Sequence, residues 1–214
     1  DGTAPQPGGK SGSAPPPGPV VVAPADQLRA AITSTDPAAQ SDAVTALELV
    51  GGDASVPLLY EALAGNPDVR VRAARALQRL APAGAATKLR AALDNSGAKV
   101  KVELAACLLR LGDKQGAPIL VRGLDDPSLR LIAARALAAS GDPAMVKLAR
   151  PALQTALADA PEGRDAWRQA AMALAELGDK PAQALVAAEL ALPDGERATA
   201  MALALVGNGD AGAR

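Results

Sequence analysis

The chain has 214 residues, with 22 lysines and arginines against 23 acidic residues and an isoelectric point of about 5.6. It contains no histidine and no phenylalanine, and only one cysteine, one tryptophan and one tyrosine. This composition excludes an intramolecular disulfide and a histidine-based or multi-cysteine metal site. It also argues against nucleic-acid binding, because both a basic excess and stacking aromatic side chains are lacking.

Residues 1–24 differ in composition from the rest of the chain. Seven prolines and five glycines make up half of this segment. Such a sequence is typical of a disordered tether, which at about 3.1 Å per residue reaches roughly 70 Å when extended. Since the chain begins at Asp1 without a methionine, we expect an exported, periplasmic or membrane-tethered protein with a lipid anchor upstream of residue 1. The alternatives are an interdomain linker and a cytoplasmic protein.

From residue 25 onward, one leucine-centred phrase returns six times, for example as ALELVGG from Ala46 and CLLRLGD from Cys107. Its leucines are spaced 30, 31, 29, 37 and 29 residues apart. A unit this short cannot bury its own apolar face, so we expect copies to stack. The prediction is an all-α solenoid of about six helix pairs over residues 25–210, followed by a disordered tail at 211–214. The anchoring leucines are Leu47, Leu77, Leu108, Leu137, Leu174 and Leu203.

Capping signals divide each unit into a first, outer helix and a second, inner helix. Asp36-Pro37, Asn66-Pro67 and Asp126-Pro127 each predict a capping side chain followed by proline at the first helical position. Glycines just after the phrases predict helix ends, and the aspartates that follow predict caps of the next helix. These residues are Gly52, Gly112, Gly141, Gly178 and Gly207, with Asp53, Asp113, Asp142 and Asp179.

The same signals set the predicted helix bounds. The predicted outer helices are 25–33, 55–64, 84–93, 115–124, 143–158 and 181–191. The predicted inner helices are 37–50, 67–80, 98–111, 127–140, 164–177 and 195–206. Pro151 falls inside one outer helix, so a kink or break is predicted near Ala149.

Two short motifs resemble the signatures of a known repeat family. Val56-Pro57-Leu58-Leu59 and Ala117-Pro118-Ile119-Leu120 are similar to the first-helix signature of HEAT repeats, and Asn66-Pro67-Asp68-Val69-Arg70 is similar to the second-helix signature. The resemblance is closest to bacterial HEAT-like repeats of the phycobiliprotein-lyase type. It implies an adaptor whose inner helices line a concave surface, in a family where a few members bind chromophores, metals or nucleic acid.

The inner helices carry the candidate partner-binding residues. At 100° per residue, five arginines fall on the side opposite the anchoring leucines, together with the apolar Ile132 and Met172. The arginines either keep the surface soluble or bind an acidic protein partner. Arg70, Lys101 and Arg130 instead fall near the leucine side and are predicted to reach acceptors in a neighbouring turn. The five arginines are Arg72, Arg75, Arg79, Arg110 and Arg135.

Residues suited to catalysis are scarce. Without histidine the commonest general base is missing, and Cys107 replaces the alanine that precedes an anchoring leucine, so we expect a buried, inert thiol. Trp167 is predicted to be core, and the acidic residues Asp125 and Asp126 are interpreted as cap and surface residues. No enzyme activity, cofactor or metal is therefore predicted.

The C-terminal end of the repeat array is unusually apolar. Residues 198–206 read ATAMALALV, whereas a terminal solenoid helix normally carries a polar outer face. We therefore expect Met201, Leu205 and Val206 to contact a second copy or a larger partner, unless the alanine-rich helix tolerates exposure.

Together these features predict a non-catalytic protein-interaction scaffold tethered in a bacterial cell-envelope assembly. A chromophore or cofactor lyase is one alternative, and a purely structural subunit of a large complex is another.

Overall fold

The structure is a computed structural model that describes residues 25–161 and 164–191. Over these ranges it contains eleven α-helices and two short 3-10 turns, and no strand. The helices are α1 Ala25–Thr33, α2 Pro37–Val50, α3 Val56–Ala62, α4 Pro67–Leu80, α5 Ala85–Asp94, α6 Ala98–Arg110, α7 Ala117–Gly123, α8 Arg130–Ala138, α9 Pro143–Asp159, α10 Asp165–Glu176 and α11 Lys180–Leu190. The 3-10 turns, Asp53–Ser55 and Lys114–Gly116, precede α3 and α7.

The helices form two layers. The even-numbered helices are the inner layer, in which each helix contacts the next from α2 to α10. Each inner helix also packs against the outer helix before it and the outer helix after it. This zigzag of helix pairs confirms the predicted all-α solenoid.

Leucines anchor the core between the layers. Leu47, Leu77, Leu108, Leu137 and Leu174 are each at most 2% exposed. Alanines beside them let the helices approach closely, and full burial of each leucine contributes about 1.5–3 kcal/mol. The repeated leucine phrase is therefore the packing signal that the sequence indicated.

Most of the predicted caps are present. The Asp36 side chain accepts a hydrogen bond from the Ala38 amide, and Asn66 accepts from the amides of Asp68 and Val69. Asp113, Asp142 and Asp179 cap the 3-10 turn before α7, α9 and α11, respectively. The predicted cap at Asp53 is wrong, because this residue lies within the 3-10 turn that precedes α3.

Helix α8 begins three residues later than the predicted start at 127. The Asp126 carboxylate accepts hydrogen bonds from both the Ser128 hydroxyl (2.7 Å) and the Ser128 amide (2.8 Å), and these bonds lower the pKa of Asp126. Its carbonyl accepts from the Leu129 and Arg130 amides. Residues 127–129 therefore form a turn, and the helix starts at Arg130.

Helix α9 continues from Pro143 to Asp159 with Pro151 inside it. The predicted break near Ala149 is wrong. Ala149 and Leu153 are fully buried, whereas Pro151 is exposed. Packing on one face thus holds the helix together while proline occupies the solvent side, where its missing N–H has least consequence.

Several sequence predictions lie outside the described residues. These are the tether at 1–24, the last inner helix at 195–206, the tail at 211–214 and the contact residues Met201, Leu205 and Val206. Among the helices that the structure describes, none combines the length and hydrophobicity needed to cross a bilayer.

Candidate interaction surface on the inner helices

The five arginines that the sequence singled out lie on three consecutive inner helices. Helix α4 carries three of them, α6 ends with Arg110, and α8 carries Arg135. Arg72 and Arg79 both pair with Glu48, and the charges of Arg75 and Arg110 act on Arg135, so these arginines share one side of the inner layer. We call this set, Arg72, Arg75, Arg79, Arg110 and Arg135, the arginine face.

Arg72 is the least exposed of the three arginines on α4 and joins two helices. Its Nη1 donates to the Ser41 hydroxyl (2.8 Å) and carbonyl (3.2 Å). Its Nη2 donates to Thr45 Oγ1 (2.7 Å) and Glu48 Oε2 (2.8 Å). The guanidinium therefore joins α2 to α4, while 29% of the side chain stays exposed on this side.

Arg75 and Arg79 are paired but remain open to solvent. Arg79 Nη2 lies 3.1 Å from Glu48 Oε1, and Arg75 Nη2 lies 2.8 Å from Glu103 Oε2. The arginine side chains are 53% and 55% exposed for Arg75 and Arg79, respectively. The carboxylates come from the inner helices on either side, α2 and α6, so the arginines bridge repeats.

A common register underlies these contacts when residues are counted from each anchoring leucine. The residue two positions before the leucine meets the residue five positions before the leucine of the next inner helix. This rule gives Thr45 with Arg72 (2.7 Å) and Arg75 with Glu103 (2.8 Å). It also gives Arg135 with Gln169 (2.7 Å). We call these hydrogen-bonded pairs the ladder.

The junction between α6 and α8 departs from the ladder. The register places Ala106 and Ile132 there, and neither side chain can form a hydrogen bond. Both are half-buried and pack, with Leu109, against the apolar cluster beneath them. We call Ala106, Leu109 and Ile132 the ladder gap. Ile132 is thus accessible on the predicted surface.

Met172 does not belong to that surface. Although it shares the register of Arg75 and Arg135, its side chain is only 1% exposed. The five consecutive residues 170–174 are all buried, and they span more than one turn, so α10 is packed on every side there. The prediction of Met172 as a partner contact is therefore wrong.

Charges on the arginine face interact across several helices. Burial lowers the pKa of Arg135, and the charges of Arg110 and Arg75 lower it further. Desolvation raises the pKa of Glu176, while Arg135 and Arg110 oppose that shift. The five arginines share this side with Asp42, Glu48, Glu103 and Glu176, which leaves an excess of one positive charge.

Two residues near the leucine side join their inner helices, α4 and α8, to a neighbouring turn, as predicted for Arg70 and Arg130. Among the described residues Lys101, for which the same was predicted, forms no such hydrogen bond. Arg70 Nη1 donates to the Asn95 carbonyl (2.7 Å) and the Ser96 hydroxyl (2.8 Å). Arg130 Nε donates to the Leu124 carbonyl (3.0 Å).

The first repeat uses a glutamine at this register, and the sequence reasoning missed it. Gln40, seven residues before Leu47, accepts hydrogen bonds from the Asn66 amide and side chain. Gln40 and Arg70 are separated from their anchoring leucines by the same number of residues in the sequence. This shared position could have predicted the role of Gln40.

The remaining candidates for chemistry are structural. Cys107 is buried, as predicted, and burial raises the pKa of its thiol to about 12. Trp167 is buried, as predicted. The Tyr60 hydroxyl donates to the Ala83 carbonyl (3.1 Å). In residues 25–161 and 164–191 no group of three acidic or cysteine side chains could hold a metal ion.

An open cavity of about 250 Å³ lies between α9, α10 and α11. Most of its lining is aliphatic, including Leu157, Leu174 and Leu185. Its one acidic group, Asp179, already caps α11 and pairs with Arg150 at 3.6 Å. The cavity therefore offers no unengaged carboxylate to a ligand.

Comparison with known proteins supports the resemblance over part of the chain. The family model for HEAT repeats matches residues 25–100, which include the first two helix pairs and α5. Past residue 100 the same stacking of inner helices continues through α10. A comparison with curated proteins finds no match.

Proposed function

From the HEAT-repeat match and the stacked helix pairs, we propose that the chain is a non-catalytic scaffold that binds an acidic protein partner on its arginine face. HEAT repeats are commonly protein-interaction scaffolds. The observation that carries the proposal is the array of arginines on three consecutive inner helices, with more positive than negative charge around it.

The geometry leaves hydrogen-bonding capacity for a partner. A guanidinium has five N–H donors, whereas Arg75 and Arg79 each use one nitrogen in their ion pairs. An incoming carboxylate can therefore bind these arginines without displacing Glu103 or Glu48.

The packing of the two layers also supports a concave inner surface. Consecutive inner helices touch throughout, whereas extended contact between consecutive outer helices is confined to α1 and α3 in the part of the chain that the structure describes. In a curved array, the layer whose consecutive helices lie closer together is on the concave side. Here that layer is the inner one. A partner segment in that concavity would run across several arginines.

The alternatives differ in what they require. A chromophore or cofactor lyase needs a pocket with reactive walls, and the cavity between α9 and α11 does not favour one. A purely structural subunit would co-purify in a fixed ratio with one assembly, whereas an adaptor would exchange partners.

The proposal extends to location and to the C-terminal end. The proline and glycine content of residues 1–24 supports a tether in a bacterial cell-envelope assembly, attached by a lipid anchor or a preceding segment. Fractionation of the native cells tests this location. Met201, Leu205 and Val206 are proposed to contact a second copy or a partner, and light scattering of Met201→Glu with Leu205→Glu tests self-association.

The test of the scaffold function is affinity capture from the organism that encodes the chain. Arg79→Gln with Arg110→Gln should weaken capture of a protein partner at low salt. The matched control, Arg122→Gln with Lys147→Gln, removes two exposed positive charges from outer helices and should leave capture unchanged. Equal capture by the unmodified protein, the Arg79→Gln with Arg110→Gln variant and the control variant would contradict the assignment of the arginine face.

A further inference from the structure

The ladder gap is the one described junction between inner helices where polar pairing is absent at the shared register. Hydrogen bonds close this register between α2 and α4, between α4 and α6, and between α8 and α10. Between α6 and α8 the corresponding residues are Ala106 and Ile132, and Leu109 lies one turn away from Ala106. All three are half-buried, so part of each side chain is open to solvent.

Arg110 stands at the end of α6 beside this apolar floor. It occupies the register of Arg79, two residues after the anchoring leucine. Arg79 is held by Glu48 of the preceding inner helix, but the residue equivalent to Glu48 on α4 is the neutral Gln78. Within the described ranges exposed Arg110 forms no hydrogen bond or ion pair.

The ladder gap therefore lies beside a guanidinium that forms no direct ion pair with the described residues, although the charge of Glu176 acts on it. Arg75 and Arg135 add positive charge nearby, opposed by Glu103 and Glu176. The floor of Ala106, Leu109 and Ile132 gives an aliphatic side chain an apolar contact, but it has no aromatic ring on which a base could stack. This mixture fits a short protein segment better than a nucleic acid.

We propose that the ladder gap binds an acidic peptide segment of a partner protein, with one aliphatic side chain on Ala106, Leu109 and Ile132 and a carboxylate on Arg110. This inference rests on the proposed scaffold function and names the chemistry that its partner presents. A carboxylate of the bound segment would accept hydrogen bonds from Arg110, in place of the glutamate that α4 lacks at Gln78.

A direct test uses a short fluorescein-labelled peptide in which one leucine is flanked on each side by two glutamates. Two matched peptides replace the leucine with serine or the glutamates with glutamines. Fluorescence anisotropy at low salt should show tightest binding to the first peptide. Loss of the leucine should weaken binding by about tenfold and loss of the carboxylates by at least about fivefold.

Protein variants locate the site. Arg110→Ala should weaken binding of the leucine and glutamate peptide by about fivefold, whereas Arg122→Ala on outer helix α7 should have no effect. Ile132→Ser should reduce the preference for leucine over serine, and circular dichroism checks that this variant stays folded. The preference for leucine is also measured by comparing the peptides on the unmodified protein. A misfolded Ile132→Ser protein would therefore not block the test.

Three outcomes would overturn the inference. The first is equal binding by the Arg110→Ala and Arg122→Ala proteins, and the second is no preference for leucine. The third is that a single-stranded RNA with the same charge as the leucine and glutamate peptide binds more tightly than that peptide, and that Ile132→Ser does not change the binding of the RNA. If partner capture depends on Arg79 but not on Arg110 or Ile132, the scaffold function stands and only the ladder gap is excluded.

Discussion

Arg72 and Arg110 share a face of the inner layer, but their surroundings differ. Arg72 donates to four acceptor atoms on α2, whereas Arg110 is exposed at the end of α6. Hydrogen bonds to a carboxylate are stronger than neutral ones, and a lost donor leaves its acceptors unpaired. The two residues therefore separate the structural role of the face from its binding role.

Removing these two side chains should have different effects on stability. Arg72→Ala should lower the free energy of unfolding by about 1–3 kcal/mol, because Ser41 and Thr45 lose their partner. Arg110→Ala should change it by less than about 0.5 kcal/mol. Urea denaturation followed by circular dichroism measures both, and equal losses would contradict the distinction.

The thiol of Cys107 should be unreactive in the folded protein. Its side chain is 4% exposed, and its pKa of about 12 keeps it protonated at pH 8. Since the thiolate is the nucleophile, labelling by a disulfide reagent should be slow in buffer and rapid in guanidinium chloride. Fast labelling of the native protein at pH 8 would show that α6 opens readily.

At the scale of elements, Gly116 lets the 3-10 turn before α7 approach α6. A Cβ atom at this position would lie 2.4 Å from the Ala105 carbonyl oxygen, which is backbone and cannot swing away. Gly116→Ala should therefore destabilise the protein by about 2 kcal/mol or more.

Gly97 is a suitable control for this substitution, because a Cβ there meets nothing within 4 Å. Gly97→Ala should cost less than about 1 kcal/mol, the loss expected from a weaker N-cap. Thermal unfolding of both variants tests the close approach, and a Gly116→Ala protein as stable as Gly97→Ala would disprove it.

Helix α9 offers a test of proline within a continuous helix. Pro151→Ala restores a backbone donor and should raise the free energy of unfolding by about 1–3 kcal/mol, because Pro151 is exposed and its ring packs little. Pro143, at the helix start, provides the comparison. Pro143→Ala should be nearly neutral, and a loss of stability in Pro151→Ala would indicate that the ring has a packing role.

Local sequence signals predicted the helix bounds well where no other side chain bonds to the capping residue's carboxylate or amide oxygen. The helices at 25–33, 37–50 and 67–80 have their predicted bounds. Asp126-Pro127 failed because the Ser128 hydroxyl adds a second hydrogen bond to the carboxylate, beside that of the Ser128 amide, and stabilises a turn. One side chain two residues away therefore displaced the start of α8.

The candidate surface was only partly predictable, for a different reason. The 100° step placed the arginines on one side of their helices, but it cannot show which residue of the next helix lies opposite. The pairing of Arg75 with Glu103, and the burial of Met172, depend on how the helices are aligned along their axes. That alignment is set by packing between repeats.

For the whole molecule, stability should vary along the array. In the described residues the largest buried cluster joins α1 through α6, while smaller clusters serve α6 to α9 and α8 to α11. Repeat proteins open locally in proportion to the interfaces each unit forms. Hydrogen exchange followed by mass spectrometry should find α4 slowest and α1 and α11 fastest, and equal protection of α11 and α4 would contradict this gradient.

The ladder also restricts how such a chain could grow by gene duplication. A tandem copy of the α3–α4 unit would set the copied Arg72 against the original Arg75, so that two guanidiniums would meet where an arginine and a glutamate now pair. Duplicating the unit that carries α6 would instead place a second Glu103 opposite an alanine, without its arginine. These two repeats are therefore similar in fold to their neighbours but cannot be copied in place without losing a polar pair.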